Sequence, residues 1–293
     1  MNGILVINKE KGFTSHDVVA KLRGILHMKK IGHTGTLDPE AVGVLPVALG
    51  KGTRLVELLT EKEKTYEAVL RLGVVTDTQD MTGSVLEERP VAVTREEVEK
   101  ALLGFLGDQM QIPPMYSALK VGGKKLYELA REGKVVERKP RPVHFYEIHL
   151  EDMELPRVRF TVTCSKGTYI RTLCHDLGEA LGCGGCMEEL LRTRVGRFSM
   201  EDAYTLQEVE EAVSENRVEE LVYSIEEVLS EYPAVRCLPE GDRLLKNGNP
   251  LPEELLERGC REGWIRMYDS AGAFIGVFQW RDARGSYYPI KMF

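Results

Sequence analysis

Asp38 is the residue whose type and setting most plainly suggest chemistry. It sits in Gly32-His-Thr-Gly-Thr-Leu-Asp-Pro-Glu-Ala-Val-Gly43, a loop rich in Gly and Thr, directly before Pro39. A residue before proline is held away from helix, so this carboxylate belongs to an irregular, backbone-dominated segment. A loop aspartate is more often a turn or cap residue, so it needs partners before it counts as functional. Lys166-Gly-Thr-Tyr-Ile-Arg171 supplies candidates: there a strand passes into a helix N-terminus, which binds anions and presents side chains. Tyr66 opens another strand after the charged run Glu61-Lys-Glu-Lys64. Asp38, Tyr66, Tyr169 and Arg171 lie on separate segments that a fold could bring together. An Arg171–Asp38 pair would keep the carboxylate ionised, as a nucleophile needs to be.

Two other motifs are decoys. Gly50-Lys51-Gly52-Thr53 resembles a phosphate loop but lacks the Ser or Thr after its Lys and the longer glycine frame, and reads as a turn. Cys183-Gly-Gly-Cys186 has knuckle spacing, but a structural zinc needs four ligands, and the other cysteines form no second pair. No metal is expected.

The elements that must position these residues follow from periodicity. Gly3–Ile7 reads as a strand, and Ser15 as the cap of a helix striped by Val18, Val19, Leu22, Ile25 and Leu26. Residues 31–52 show no clean period. Tyr66, Ala68, Leu70 and Leu72 alternate as in a half-buried strand, and Thr94-Arg-Glu-Glu97 is a capping box. Residues 144–150 and 158–164 look like paired strands, followed by a helix over 168–181 closed by Gly182. Two acidic helices are expected over 205–229, the first opened by the capping box Thr205 to Glu208. Beyond Tyr232-Pro233 the composition shifts to Gly, Pro and aromatics, with Asp269-Ser-Ala-Gly272 turning between two strands. Without βαβ regularity, the expectation is α+β with a mixed, largely antiparallel sheet flanked by helices, plus a small C-terminal β domain.

At 293 residues with 43% apolar and 29% charged side chains, the chain can form a sizeable core. No apolar run reaches about 18 residues and the N-terminus is no signal peptide, so a cytoplasmic protein off the membrane is expected, its six cysteines reduced. The net charge of −7 argues against nucleic acid until its distribution is examined. Glu201–Glu231 holds eleven acids and one base, a net of −10, which leaves +3 on the remainder. Met115–Phe145 holds eight bases and three acids, a net of +5. A polyanionic partner is therefore not excluded.

In combination the motifs resemble the TruB family of tRNA pseudouridine synthases. GHTGTLDPEAVGVLPVALGKGT looks like the family's catalytic aspartate motif, K-x-Y-x-A-x-x-x-L-G matches at Lys64 to Gly73, and CSKGTYIRTLCHDLGEALG at Cys164 to Gly182. LLRTRVGRF at 190–198 and PPMYSALKVGGKKLYELAREG at 113–133 are similar too, so the likeness covers residues 3 to about 200 in order. The opening motif departs, reading Asn8-Lys-Glu-Lys-Gly12 where the family has D-K-P-x-G.

The resemblance implies a pseudouridine synthase fold over 1–230 and a PUA-like RNA-binding β-barrel over 231–293. It implies isomerisation of uridine 55 in the tRNA T loop, without cofactor, by a stand-alone monomer needing no protein partner. Asp38, Tyr66, Tyr169 and Arg171 would form the catalytic group. His33 would fill the stack left by a flipped base. Lys9, Lys120, Lys124, Lys125, Arg131, Arg141 and Lys166 would bind RNA, most of them from the basic segment 113–141, where Lys134, Arg138 and Lys139 add charge. One rival is a non-catalytic protein that binds or folds tRNA with the same surface, which would not require Asp38, Tyr66 and Arg171 together. Another is a guide-RNA-dependent relative, disfavoured by the lack of basic extensions.

Overall fold

The computed structural model describes residues 1–293. In chain order its first elements are β1 (Gly3–Lys9), α1 (Ser15–Ile25), β2 (Ile31–His33), β3 (Val42–Leu49), α2 (Val56–Glu61), β4 (Lys64–Leu72), β5 (Val74–Thr76), β6 (Val85–Glu88), α3 (Arg95–Leu103) and β7 (Gly107–Gln111). There follow β8 (Lys120–Val121), β9 (Lys124–Lys125), α4 (Leu126–Arg131), β10 (Arg141–Glu154), β11 (Arg157–Cys164), α5 (Ile170–Ala180), β12 (Gly185–Val195), β13 (Phe198–Ser199), α6 (Leu206–Ser214), β14 (Val222–Ser224) and α7 (Ile225–Val228). The chain ends with β15 (Ala234–Arg236), α8 (Asp242–Lys246), β16 (Leu251–Pro252), β17 (Trp264–Tyr268), β18 (Phe274–Arg281) and β19 (Ser286–Met292).

A ten-stranded sheet runs β14-β1-β3-β12-β4-β11-β10-β7, with β2 added to β3 and β13 to β12. Every ladder is antiparallel except the two-residue join of β12 to β3, which pairs Leu191 with Val42 and Arg192 with Gly43. This is the mixed, largely antiparallel α+β architecture that the sequence implies.

The missing period in residues 31–52 has a packing cause. Val44, Leu45, Val47, Ala48 and Leu49 are all fully buried, because β3 is central and covered on both faces. Leu45 and Val47, with Leu5 and Ile7 of β1, face Val18 and Leu22 of α1 and Val209 of α6. Val44 and Ala48, with Ile4 and Val6, face Ile225 and Val228 of α7 and reach Val277 of the second sheet.

Two expected helix features differ. Thr14, not Ser15, caps α1: its hydroxyl accepts from the Asp17 N–H at 3.1 Å and the Asp17 carboxylate accepts from the Thr14 N–H at 2.8 Å. Ser15 is thereby freed for a long-range role described below. The acidic 205–229 stretch is not two helices only, because Val222–Ser224 leaves the helical pattern to cover the edge of β1. An open sheet edge outweighs the local helix preference there.

The second sheet runs β15-β17-β18-β19-β16 around Val235, Leu245, Ile265, Met267, Phe278 and Tyr287. Its two edges are joined by a bridge between Cys237 and Leu256 rather than a ladder, so the small β-barrel expected here takes the form of a half-barrel.

Gly43 marks the tightest approach. It sits at φ +103°, and a Cβ there would lie 2.3 Å from the Arg192 carbonyl oxygen. Gly43→Ala is expected to lower stability by roughly 2–4 kcal/mol, from left-handed strain plus overlap with backbone that cannot yield. Its effect shows as a fall in the melting temperature, and an unchanged melting temperature would mean that β3 and β12 separate easily.

Candidate active site

The loop between β2 and β3 is held from three directions. The Leu37 N–H donates to the Ser15 hydroxyl at 2.9 Å, the Thr34 N–H to the Pro46 carbonyl at 3.1 Å, and the Gly12 N–H to the Pro39 carbonyl at 2.9 Å. Lys9 adds the fourth tie: its ammonium donates to the carbonyls of Phe13 at 2.7 Å, Glu10 at 3.0 Å and Pro39 at 3.1 Å. The lysine is fully buried, and burial pushes its ammonium down to about 8 while Asp38 pulls the other way. With its three protons committed to backbone, Lys9 cannot contact a phosphate. It fastens the Asp38 loop, which corrects its expected RNA-binding role. A lysine between Asn8 and Glu10 reads as exposed, and only the fold shows three carbonyls converging on it.

Asp38 faces Arg171, which lies in the first turn of α5. The guanidinium engages both carboxylate oxygens, Nε to Oδ2 at 3.0 Å and Nη2 to Oδ1 at 3.3 Å. Its other donors are used as well. Nη2 reaches the Tyr116 carbonyl at 2.8 Å, and Nη1 reaches the Thr78 carbonyl at 3.2 Å and Asp80 Oδ2 at 3.4 Å. The arginine side chain is only 6% exposed, whereas that of Asp38 is 40% exposed. Burial pushes the Asp38 carboxyl upward, Arg171 pulls it down, and Asp80 pushes it up again, for a net upward direction. Against that burial, the two-point contact with the Arg171 guanidinium favours the ionised form of the carboxylate. A fixed, ionised carboxylate with one open side suits attack on an electrophilic carbon.

Both tyrosines border this carboxylate. Tyr66 is buried on β4, where the register sets it opposite Arg192 of β12 and Val162 of β11. Burial holds its phenol protonated, against the pull of the facing Arg192 guanidinium. Tyr169 precedes α5, where Gln111 of β7 binds its backbone twice: the Tyr169 N–H donates to Oε1 at 2.8 Å, and Nε2 donates to the Tyr169 carbonyl at 3.0 Å. Its hydroxyl is likewise pushed up by burial and feels Arg171 and Asp38. His33 ends β2 with Nδ1 buried and unpartnered, edge-on to His16 at 5.1 Å between ring centroids.

Three participants were not singled out from the sequence. Arg192 is fully buried with no carboxylate partner; Nε donates to the Val44 carbonyl at 2.7 Å and the head faces Tyr66. Asp80 accepts from the Thr78 hydroxyl at 2.7 Å and the Thr82 N–H at 3.0 Å, which aims it at Arg171. Gln111 is the third. Arg192 lay within the LLRTRVGRF run, but alternation along a strand does not say which of Arg192 and Arg194 is buried.

The basic segment is less bare than its composition implied. Lys120, Lys124, Arg131 and Arg141 are exposed, and Lys125 half-buried. Glu132 compensates both Lys124 at 3.2 Å and Lys134 at 2.7 Å. Lys125 and Arg131 stand over the Tyr127 ring at 5.3 and 5.4 Å. Lys166 is exposed but ion-paired with Glu61. Cys183 and Cys186 are free buried thiols, and residues 50–53 form a 3₁₀ turn.

A family model described as the TruB family pseudouridylate synthase N-terminal domain matches residues 23–170. The chain belongs to the TruB family. A second model, the tRNA pseudouridylate synthase B C-terminal domain, matches residues 171–230. Among curated TruB proteins, tRNA pseudouridine synthase B of Lachnoclostridium phytofermentans is 50% identical over 306 residues, covering 100% of both chains. That of Bacillus pumilus is 45% identical over 287 residues, covering 95% of this chain and 93% of its own. Among solved structures, a Cbf5-Nop10-Gar1 complex contains a chain 27% identical, with a TM-score of 0.76 over 99% of this chain and 84% of that one. An H/ACA ribonucleoprotein bound to a substrate RNA contains one 25% identical, with a TM-score of 0.74 over 99% and 84%. The fold is thus shared with chains found in ribonucleoprotein complexes.

Proposed function

We propose that this chain converts uridine to pseudouridine in tRNA, acting at position 55 of the T loop. The observation that carries the proposal is the Asp38–Arg171 pair: a carboxylate gripped on both oxygens yet open on one side. The reaction breaks the N1–C1′ bond, turns the uracil and joins C5 to C1′, so the base gains no oxygen and loses no electrons. What it requires from protein is one fixed carboxylate near the ribose and a surface for the loose base. Asp38 supplies the first, acting at C1′ or at uracil C6, and Tyr66 and Tyr169 supply walls for the second.

The base must leave a folded loop to reach Asp38, at a cost of a few kcal/mol. His33 is half-buried at the mouth of the site, and its unpartnered Nδ1 suits it to take the vacated place in the RNA stack. Phosphate contacts are assigned to Lys120, Lys124, Lys125, Arg131 and Arg141. The half-barrel from Ala234 onward is assigned as a second RNA-binding unit, which has a core of its own and packs on the catalytic part through Val277. The protein is proposed to act alone. No helix is long and apolar enough to cross a membrane.

Release of tritium from tRNA labelled at uracil C5 tests the reading directly, since C5 must lose its hydrogen when it bonds to C1′. No release from a T-loop substrate would overturn it. Tyr66→Phe resolves the role of the phenol. The buried, protonated hydroxyl is placed to relay a proton, so its removal is expected to slow turnover by about 10²-fold while base stacking is retained. Equal single-turnover rates for the two proteins would restrict Tyr66 to stacking.

A further inference from the structure

Cations are unevenly partnered along this chain. Lys11 pairs with Glu40 at 3.2 Å and Lys62 with Glu231 at 2.8 Å, yet all six Lys and Arg between them (Lys21, Arg23, Lys29, Lys30, Lys51 and Arg54) lack a carboxylate partner. Two of these have local explanations. Lys21 lies over the Phe13 ring at 4.6 Å, and Arg54 donates to the Met292 carbonyl. The other four gather at one corner. Arg23 donates to the Ile31 carbonyl at 3.4 Å, which places it over the start of β2, beside Lys30. Lys51 is brought there because the Gly50 N–H donates to the Lys30 carbonyl at 2.9 Å. Arg23, His27, Met28 and Lys29 line an open groove of about 530 Å³ with no acid in its wall. His27 holds φ +51°, a left-handed backbone that a non-glycine residue adopts at a cost.

We propose that this corner is a second contact surface for the RNA backbone, its groove taking one or more phosphates of the tRNA whose T loop occupies the Asp38 site. The geometry points to this partner because β2 starts at Ile31, directly after Lys30 at the corner, and ends at His33, three residues from that lysine. A strand of three residues spans roughly 10 Å, less than two steps along a nucleic-acid backbone. RNA reaching His33 therefore lies within range of the corner. Four unpaired cations in a protein of net charge −7 form a local positive field whose complement is a polyanion. Acid nearby limits the surface on one side: Glu210 lines the adjoining groove beside Lys21, where the acidic Glu201–Glu231 block begins. The backbone would then run along the β2 side and away from α6.

The inference rests on tRNA being the substrate, so its test is read separately from turnover. The full chain carrying Arg23→Glu and Lys29→Glu is compared with wild type for binding of full-length tRNA between 50 and 200 mM salt. Two lost phosphate contacts are expected to flatten the slope of log K against log salt by roughly 1.4–1.8, and to weaken binding at low salt by more than tenfold. A milder pair, Arg23→Gln with Lys29→Gln, guards against misfolding and should flatten the slope by a similar amount. Arg95→Glu with Lys100→Glu on α3 makes the same change of net charge elsewhere and should leave the slope near the wild-type value. A slope unchanged in both groove variants overturns the proposal, as does an equal change in the α3 control. If wild-type protein released no tritium from tRNA while the groove variants still lost slope, the catalytic reading would fall and the RNA surface would stand.

Discussion

Asp38→Asn should end isomerisation, lowering the single-turnover rate by about 10⁴-fold or more, while tRNA binding stays within a few-fold of wild type. Asparagine keeps the size of the side chain and one oxygen for Arg171, so the loop tied by Ser15, Gly12 and Lys9 should keep its shape. What it removes is the negative charge and the nucleophilic oxygen. Affinity should survive because it comes from phosphate contacts and stacking, neither of which uses this carboxylate. Tritium release under single-turnover conditions measures the loss, and filter binding measures what remains. Residual turnover in freshly prepared Asp38→Asn protein, before deamidation can restore aspartate, would move the chemistry to another group. Asp80 would then be the candidate, since it shares Arg171 at 3.4 Å.

The reach of the sequence follows from the physics of each residue. The pairing of Asp38 with Arg171 was legible from a carboxylate among glycines and an arginine where a strand becomes a helix, whereas the catalytic roles proposed for these two and for Tyr66 and Tyr169 came from the resemblance to TruB proteins. The fold class was legible because alternation on β4, β10 and β11 reports one covered face. It failed for β3, which is buried on both faces and therefore has no period to read. Arg192 and Lys9 were opaque for a common reason. Burial of a cation depends on carbonyls delivered by distant segments: Val44 for Arg192, Phe13 and Pro39 for Lys9. Local sequence writes a buried and a solvated lysine in the same letter. Charge counting over 115–145 found the basic stretch, but not that Glu132 holds two of its lysines. It passed over the corner at Arg23, Lys29, Lys30 and Lys51, whose members come together only through the pairing of β2 with β3.

Arg171→Lys should lower turnover by about 10²–10³-fold although the charge is kept. In wild type one planar head serves five groups: both oxygens of Asp38, one of Asp80, and the carbonyls of Thr78 and Tyr116. A lysine ammonium has three protons on a single nitrogen and cannot span that set. It would settle against some of these acceptors and leave the others short of a donor in a site where the head group is nearly excluded from water. Because a positive charge persists between Asp38 and Asp80, the two carboxylates remain neutralised and the fold should survive. The damage is in aim. Asp38 gripped at one oxygen can rotate, and a reacting carboxylate off line by about 1 Å costs on the order of 10²-fold. The loss should therefore fall on kcat with KM little changed, since no part of Arg171 is open to RNA. A variant with normal kcat would show that neutralising the carboxylates is all the arginine does. A variant with raised KM alone would mean that the guanidinium shapes the RNA-binding surface through the Tyr116 segment.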